Sequence, residues 1–257
     1  MRFASLGSGS EGNALVVEVG RTRIMLDCGF GLRDTVRRLA AKALLPEDVD
    51  AIVITHEHSD HISGAARLSR KYGIPVWMTR GTLTVFRNQC AQLPEVNEFD
   101  SHTAFAIGDI EIHPFPVPHD AREPVQFVFG DGAYRLGVLT DVGASTAHIE
   151  AMLSGCDALV LECNHDRDLL DNSTYPQGLK RRIAGRFGHL DNQAAAALLS
   201  KLDNSRLQHL VAAHLSKHNN TPQLALQALA GVLGCTPGWF SHASQDEGFD
   251  WRELRSA

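Results

Sequence analysis

In the stretch Thr55-His56-Glu57-His58-Ser59-Asp60-His61, the pattern His56-x-His58-x-Asp60-His61 sets out four side chains of the kind that bind transition metals. They sit at the end of an apolar run, residues 49–55, that reads as a buried strand. In an extended chain, side chains two positions apart point the same way, so His56 and His58 can reach one ion together. A helix starting near Asp60 would turn the chain and send Asp60 and His61 toward a neighbouring point. Imidazole and carboxylate donors suit zinc best, with manganese and iron as the other candidates. The competing reading is a polar, His-rich loop in which Asp60 caps a helix. Four ligand types directly after an apolar strand are hard to assign to packing.

Two such sites need further donors, and three stretches can supply them. His119 follows the strand that ends at Val117, Asp141 follows the strand that ends at Leu139, and His214 follows residues 210–213. Each stands at the C-terminal end of a strand, where sites in α/β folds assemble. Asp141 taken alone would be a turn or helix cap, and His119 or His214 alone a structural histidine. Their common placement is what gives them weight. Two divalent ions held this way would generate hydroxide near neutral pH and neutralise charge on an attacked phosphoryl or carbonyl oxygen. Asp60 can also orient the attacking water.

The elements that must position these residues alternate along the chain. Residues 14–19 and 22–27 form a hairpin across Gly20-Arg21; residues 75–78, 110–117 and 157–162 read as further strands. Residues 125–129 and 133–139 form a second hairpin across Gly130-Asp131-Gly132. Helices are expected over residues 32–43, 62–71, 82–91, 145–153, 177–187 and 193–202. No repeat or Pro/Ser-rich linker interrupts the pattern, so residues 1–257 read as one domain, an α/β sandwich with helices covering sheets.

Composition narrows the class. With 44% hydrophobic and 21% charged residues the chain suits a soluble globular protein. No apolar run approaches a membrane span, and the N-terminus lacks the pattern of a signal peptide. The five cysteines, Cys28, Cys90, Cys156, Cys163 and Cys235, are scattered and odd in number, which argues against a disulfide framework or a four-cysteine zinc site. A cytoplasmic protein is expected. The net charge of −6 gives no overall attraction to nucleic acid, so any such activity rests on a local basic patch or on bound metal. Lys180, Arg181, Arg182 and Arg186 offer one. On a helix Arg182 and Arg186 share a face that could hold phosphates; a plain solvated face is the competing reading. The glycines of Gly7-Ser8-Gly9-Ser10-Glu11-Gly12 either present backbone N–H groups to an anion or simply turn a hairpin.

The ordered set His-x-His-x-Asp-His, then His119, Asp141 and His214, resembles the metallo-β-lactamase fold superfamily over nearly the whole chain. The resemblance implies a four-layer αββα sandwich with a dinuclear site at one edge. It implies that His56, His58 and His119 bind one metal, that Asp60, His61 and His214 bind the other, and that Asp141 bridges them. Four further stretches look like the YycJ/WalJ-like branch, regarded as DNA-processing exonucleases or phosphodiesterases. These are residues 5–14, Glu162-Cys163-Asn164-His165-Asp166, Gly188-His189-Leu190-Asp191-Asn192, and residues 214–220. The second and third fall where tRNase Z and PhnP-type phosphodiesterases carry an acidic motif and a Gly-His-Ser/Thr motif. Here Leu190 replaces the hydroxyl residue, which leaves phosphate contacts of that hydroxyl without a counterpart. The resemblance makes His189 the proton donor to the leaving oxygen, with Glu162 orienting it and His165 as a second donor. Asp120 would hold a ligand histidine by hydrogen bond.

The expected function is metal-dependent phosphodiester cleavage. The substrate is either nucleic acid, with DNA 5′-exonuclease action, or a small phosphodiester, bound through Arg182, Arg186 and His189. The rival is an acyl hydrolase, a glyoxalase II-type thioesterase or a lactonase, using the same metals on a carbonyl. The oligomeric state is left open.

Overall fold

The computed structural model describes residues 1–90, 93–234 and 240–256. Its first sheet contains β1 (Arg2–Gly7), β2 (Ala14–Val19), β3 (Thr22–Leu26), β4 (Ala51–Val53), β5 (Val76–Thr79) and β6 (Val96–Phe99). The second contains β7 (Phe105–Ile107), β8 (Ile110–Pro116), β9 (Val125–Gly130), β10 (Arg135–Leu139), β11 (Ala158–Glu162), β12 (His209–Ala213) and β13 (Ser241–His242). The last strand, β14 (Phe249–Glu253), returns to the first sheet and pairs antiparallel with β1. The strand orders are β14-β1-β2-β3-β4-β5-β6 and β13-β12-β11-β10-β9-β8-β7.

The two sheets share one plan. In the first, the pairs from β14 to β3 are antiparallel and those from β3 to β6 parallel. In the second, the pairs from β7 to β10 are antiparallel and those from β10 to β13 parallel. Parallel strands need crossovers, so each sheet carries helices on its outer face. The first is covered by α1 (Leu32–Ala41), α3 (Ala65–Tyr72) and α4 (Arg80–Cys90), which bury Leu39, Leu68 and Phe86 against it. The second is covered by α5 (Ala147–Leu153), α8 (Asn192–Leu199) and α9 (Pro222–Leu233), through Leu153, Leu198 and Leu229. Three short helices, α2 (Ser59–Ile62), α6 (Arg167–Asn172) and α7 (Gln177–Ile183), lie in the loops beyond the strand ends.

The inner faces meet in a core where Phe3, Val17 and Ile24 of one sheet share a cluster with Ile112, Phe127, Phe129 and Val160 of the other. Strand β9 shows why the sequence reads as it does. Phe127 and Phe129 face the other sheet while Val128 between them packs under the helices, and the one polar side chain of the strand, Gln126, is buried with its Oε1 accepting from Thr140 N. A strand buried on both faces gives an apolar run instead of alternation. The expected αββα layering is therefore what forms.

Several expectations need adjustment. The helix expected over residues 177–187 ends at Ile183, with Ala184 as its C-cap, and Gly185 to Gly188 form a turn. Arg186 is thus off the helix, and the shared face proposed for Arg182 and Arg186 does not exist. The helix over residues 193–202 is α8, which ends at Leu199 and is capped by Asp191, whose Oδ1 accepts from Gln193 N and Ala194 N. Strands β1, β6, β7, β13 and β14 and helices α6 and α9 escaped the sequence reading. Cys28, Cys90, Cys156 and Cys163 are free thiols, whereas Cys235 lies outside the described residues, as does Ala91 at the end of the helix expected there. Among the described residues no helix is long and apolar enough to cross a membrane.

Candidate metal centre

The C-terminal ends of strands from both sheets converge at one edge. Strand β4 leads into His56–His61, β8 into His119, β10 into Asp141 and β12 into His214. Two of these strand ends, and the end of β3 beside them, carry an uncommon backbone. Asp27 after β3, Asp141 and His214 adopt left-handed φ values of 60°, 49° and 54°. A non-glycine residue held there costs of order 1 kcal/mol, and such strain concentrates at functional sites. Here it turns each side chain back across the strand ends. Close approaches fix the loops as well: a Cβ on Gly29 would collide with the Asp60 carbonyl, and one on Gly188 with the carbonyls of Arg182 and Ile183.

The result is a cage with its ligand atoms facing inward. His58 Nδ1 and His119 Nε2 are 3.2 Å apart. Asp60 Oδ2 lies 3.4 Å from His61 Nε2 and 3.6 Å from His214 Nε2. Around a tetrahedral ion with bonds of about 2.0–2.1 Å, neighbouring donors sit about 3.3 Å apart. Donor atoms of His56, His58 and His119 fall within one sphere, and those of Asp60, His61 and His214 within another. Asp141 stands between the groups, with Oδ2 2.9 Å from His61 Nε2 and Oδ1 3.8 Å from His119 Nε2.

Each of the five histidines is anchored by its other ring nitrogen. His58 Nε2 donates to the Asp120 carbonyl at 3.2 Å and His119 Nδ1 to the Gly188 carbonyl at 3.1 Å. His61 Nδ1 donates to Asp27 Oδ2 at 2.7 Å and His214 Nδ1 to Glu162 Oε1 at 3.0 Å. His56 Nδ1 is 2.9 Å from Thr55 Oγ1, whose own proton goes to Asp27. Carbonyls and carboxylates only accept, so these contacts fix the tautomers and, in the neutral rings that bind metal, leave the inward nitrogens as lone pairs. His56 Nε2, His214 Nε2 and Asp141 Oδ2 are buried without a hydrogen-bond partner. Orphaned acceptors pointing at one another are costly unless a cation sits among them. The donor set fits divalent metal.

Asp27 is the residue that the sequence reading missed. It fixes His61 directly and His56 through Thr55, and so serves one histidine of each group. The signal was present: Asp27 ends an apolar strand, as Asp141 does. Replacing it with alanine is expected to lower metal affinity about 10–100-fold. Competition with a chromophoric chelator reads this, and an unchanged affinity would reduce Asp27 to a packing residue.

Glu162 plays the matching role in the second sheet. Its carboxylate accepts from Asp141 N, Val142 N and Leu190 N, and from the Nδ1 atoms of His189 and His214. Burial works against its charge, yet His189 and His214 hold it down at about 2. The converse holds for the histidines. Despite burial, Asp141, Asp60 and Glu162 lift His214 to about 10, and Asp141 and Asp27 lift His61. The metal-free pocket therefore draws in protons, and metal must displace them. Below about pH 10 the raised His214 carries a proton that metal binding expels, so affinity should rise with pH up to that point. Calorimetric titration with metal at neutral pH, in two buffers of different ionisation enthalpy, should show net proton release. Equal heats in both buffers would contradict it.

An open cleft of about 210 Å3 lies over the cage, lined by His58, Asp60, Asp141, His189 and His214 together with Arg182. His189 Nδ1 is fixed on Glu162 at 2.9 Å, and its side chain is 22% exposed. Arg182 pairs with Asp120 at 2.6 Å. Asp120 in turn approaches His119 Nε2 at 3.5 Å, besides holding His58 through its carbonyl. His165 is not brought to the cleft. It is 1% exposed and hydrogen-bonded to Asn164, which does line the cleft. Arg186 is exposed but does not line the cleft. The N–H groups of Gly7, Gly9 and Gly12 are all spent inside the loop joining β1 to β2, which leaves the turn reading of that segment.

The β-lactamase superfamily domain matches residues 22–214, from β3 to the last cage histidine. The chain belongs to the metallo-β-lactamase superfamily. It is 34% identical to exodeoxyribonuclease YycJ of Bacillus anthracis over 91% of this chain and 89% of that one. It is 33% identical to exodeoxyribonuclease WalJ of Streptococcus pneumoniae, over 90% and 88%. Among solved structures, the metallo-β-lactamase fold protein YhfI of Bacillus subtilis superposes with a TM-score of 0.75 at 16% identity, covering 96% of this chain and 97% of that one. The cage of this superfamily member lies within the matched span, and its ligand atoms come from both sheets.

Proposed function

We propose that the protein is a metal-dependent phosphodiesterase acting on nucleic acid, in the manner of a DNA exonuclease. One observation carries the chemistry: five histidines, each tethered by one nitrogen, turn the other into one cage that also holds Asp60 and Asp141. The substrate class is supported by the full-length likeness to two proteins named as exodeoxyribonucleases.

His56, His58 and His119 would hold one divalent ion, zinc first among the candidates, and Asp60, His61 and His214 a second, with Asp141 shared between them. When bound, such ions supply hydroxide at neutral pH and neutralise the phosphoryl oxygens under attack. The chain's own groups do the rest. Asp60 lines the cleft and is positioned to orient the attacking water. Arg182, held on Asp120, offers a guanidinium to the phosphate. His189 gives a proton to the departing oxygen. Burial opposes a charge on its ring, but Glu162 and Asp141 raise its pKa and so favour the protonated form that a general acid needs. With Nδ1 on Glu162, Nε2 is left to face the leaving group.

The assay pairs bis-p-nitrophenyl phosphate and a single-stranded oligodeoxynucleotide with a thioester and a lactone, each before and after chelation. Chelator-sensitive turnover of the phosphodiesters alone is expected. Faster turnover of the thioester or lactone would assign acyl hydrolysis instead.

A further inference from the structure

Residues 173–189 build one wall of the cleft, and Tyr175, Arg182, Ile183 and His189 all line it. Most of the remaining lining is polar, with Ser10, Asn164 and Ser216 beside the carboxylates and histidines. Tyr175 is the aromatic exception. It is half-buried, immediately precedes Pro176 at the start of α7, and its backbone N–H is held by Ser173 Oγ. Its ring meets His218 edge-on, with centroids 6.2 Å apart and planes at 72°. Among the described residues its hydroxyl makes no hydrogen bond and no ring is stacked parallel to it. Among the described residues, therefore, no polar bond accounts for the placement of this ring. A second aromatic, Phe187, stands 58% exposed on the turn before His189, with its carbonyl accepting from Asp120 N.

A ligand that satisfies this wall has a flat apolar group beside an anionic one. Aromatic side chains that stack bases, next to cations that hold the backbone, are how proteins grip unpaired nucleotides. The cleft, at about 210 Å3, is small beside the range of about 300–1,000 Å3 common for small-molecule pockets. In a duplex, moreover, an internal base is covered on both faces, and a terminal base is covered on one face and held at its edge by its partner. We propose that Tyr175 is the stacking surface for the base of the nucleotide whose phosphodiester is cleaved, so that this nucleotide enters the cleft unpaired. This rests on the phosphodiester reading above and adds the part of the substrate that is recognised. A duplex end must then fray before it is cut.

The test uses oligodeoxynucleotides whose terminal residue, at the 5′ or the 3′ end, carries adenine or is a base-free tetrahydrofuran. Wild type, Tyr175→Phe, Tyr175→Leu and Tyr175→Ala are compared with metal present. Wild type should prefer the base-bearing end by roughly 5- to 150-fold in kcat/KM, expressed mainly in KM. Tyr175→Phe should keep that preference. Tyr175→Leu, which keeps apolar bulk without a ring, and Tyr175→Ala should bring it close to unity. A purely structural Tyr175 would lower turnover of both substrates equally and leave the ratio intact, which overturns the proposal. So would a wild type that cuts both ends equally well. A wild type that cuts neither, with or without metal, overturns the phosphodiester reading itself.

Discussion

Asp141→Ala will leave a folded protein that retains little metal and whose phosphodiester turnover falls about 1,000-fold or more. Asp141 is the carboxylate between the two donor groups, within 3.8 Å of His119 and 2.9 Å of His61. It is 2% exposed, and burial opposes its charge; His214 and His61 nevertheless hold it well below the usual carboxylate range. Charge neutralisation at a phosphoryl oxygen contributes several kcal/mol, and about 4 kcal/mol corresponds to three decades of rate. The fold should survive because the sheet–sheet core lies away from this edge and is made by residues such as Phe3, Phe127 and Val160. Metal analysis beside a thermal melt separates the two effects. A variant that kept its full metal content and rate would remove Asp141 from the centre.

The second large effect belongs to His189, and it should depend on the leaving group. An alkoxide departing from DNA needs a proton, whereas p-nitrophenolate leaves without one. His189→Ala should therefore slow oligonucleotide cleavage by about 100- to 10,000-fold, the span expected for a general acid. Hydrolysis of bis-p-nitrophenyl phosphate should change far less. Equal losses on both substrates would instead mark His189 as a support for Glu162, which it contacts at 2.9 Å and which also anchors His214.

How much of this could be read from the chain depends on where each signal lies. His56, His58, Asp60 and His61 sit in one short stretch, and His119, Asp141 and His214 each end an apolar strand, so local pattern sufficed to nominate all seven. Their convergence could not be read that way, because it depends on two sheets facing each other. Asp27 was hidden by its sequence neighbours, since only the fold brings it against His61 and Thr55. His165 misled for the reverse reason. It lies in a motif with Glu162, but successive residues beyond a strand end diverge, and Asn164 takes the place at the cleft. Strand β1 was missed because Arg-Phe-Ala-Ser-Leu-Gly has few β-branched residues, although it runs between β2 and β14 and is nearly all buried. Helix α9 was missed because its apolar residues do not gather on one face. Arg186 shows the limit of i, i+4 arithmetic: Gly185 and Gly188 turn the chain before the second arginine can share the helix face.

The central claim is that metal occupies the edge where these strands end. Anomalous diffraction from crystals of the purified protein, recorded on either side of the zinc edge and repeated at the manganese and iron edges, tests it most directly. The expected map has two peaks, one about 2.0–2.2 Å from the inward atoms of His56, His58 and His119, the other equally near Asp60, His61 and His214. A map from metal-supplemented, active protein with no anomalous density between Asp60 and Asp141, or with metal bound only elsewhere, would contradict it.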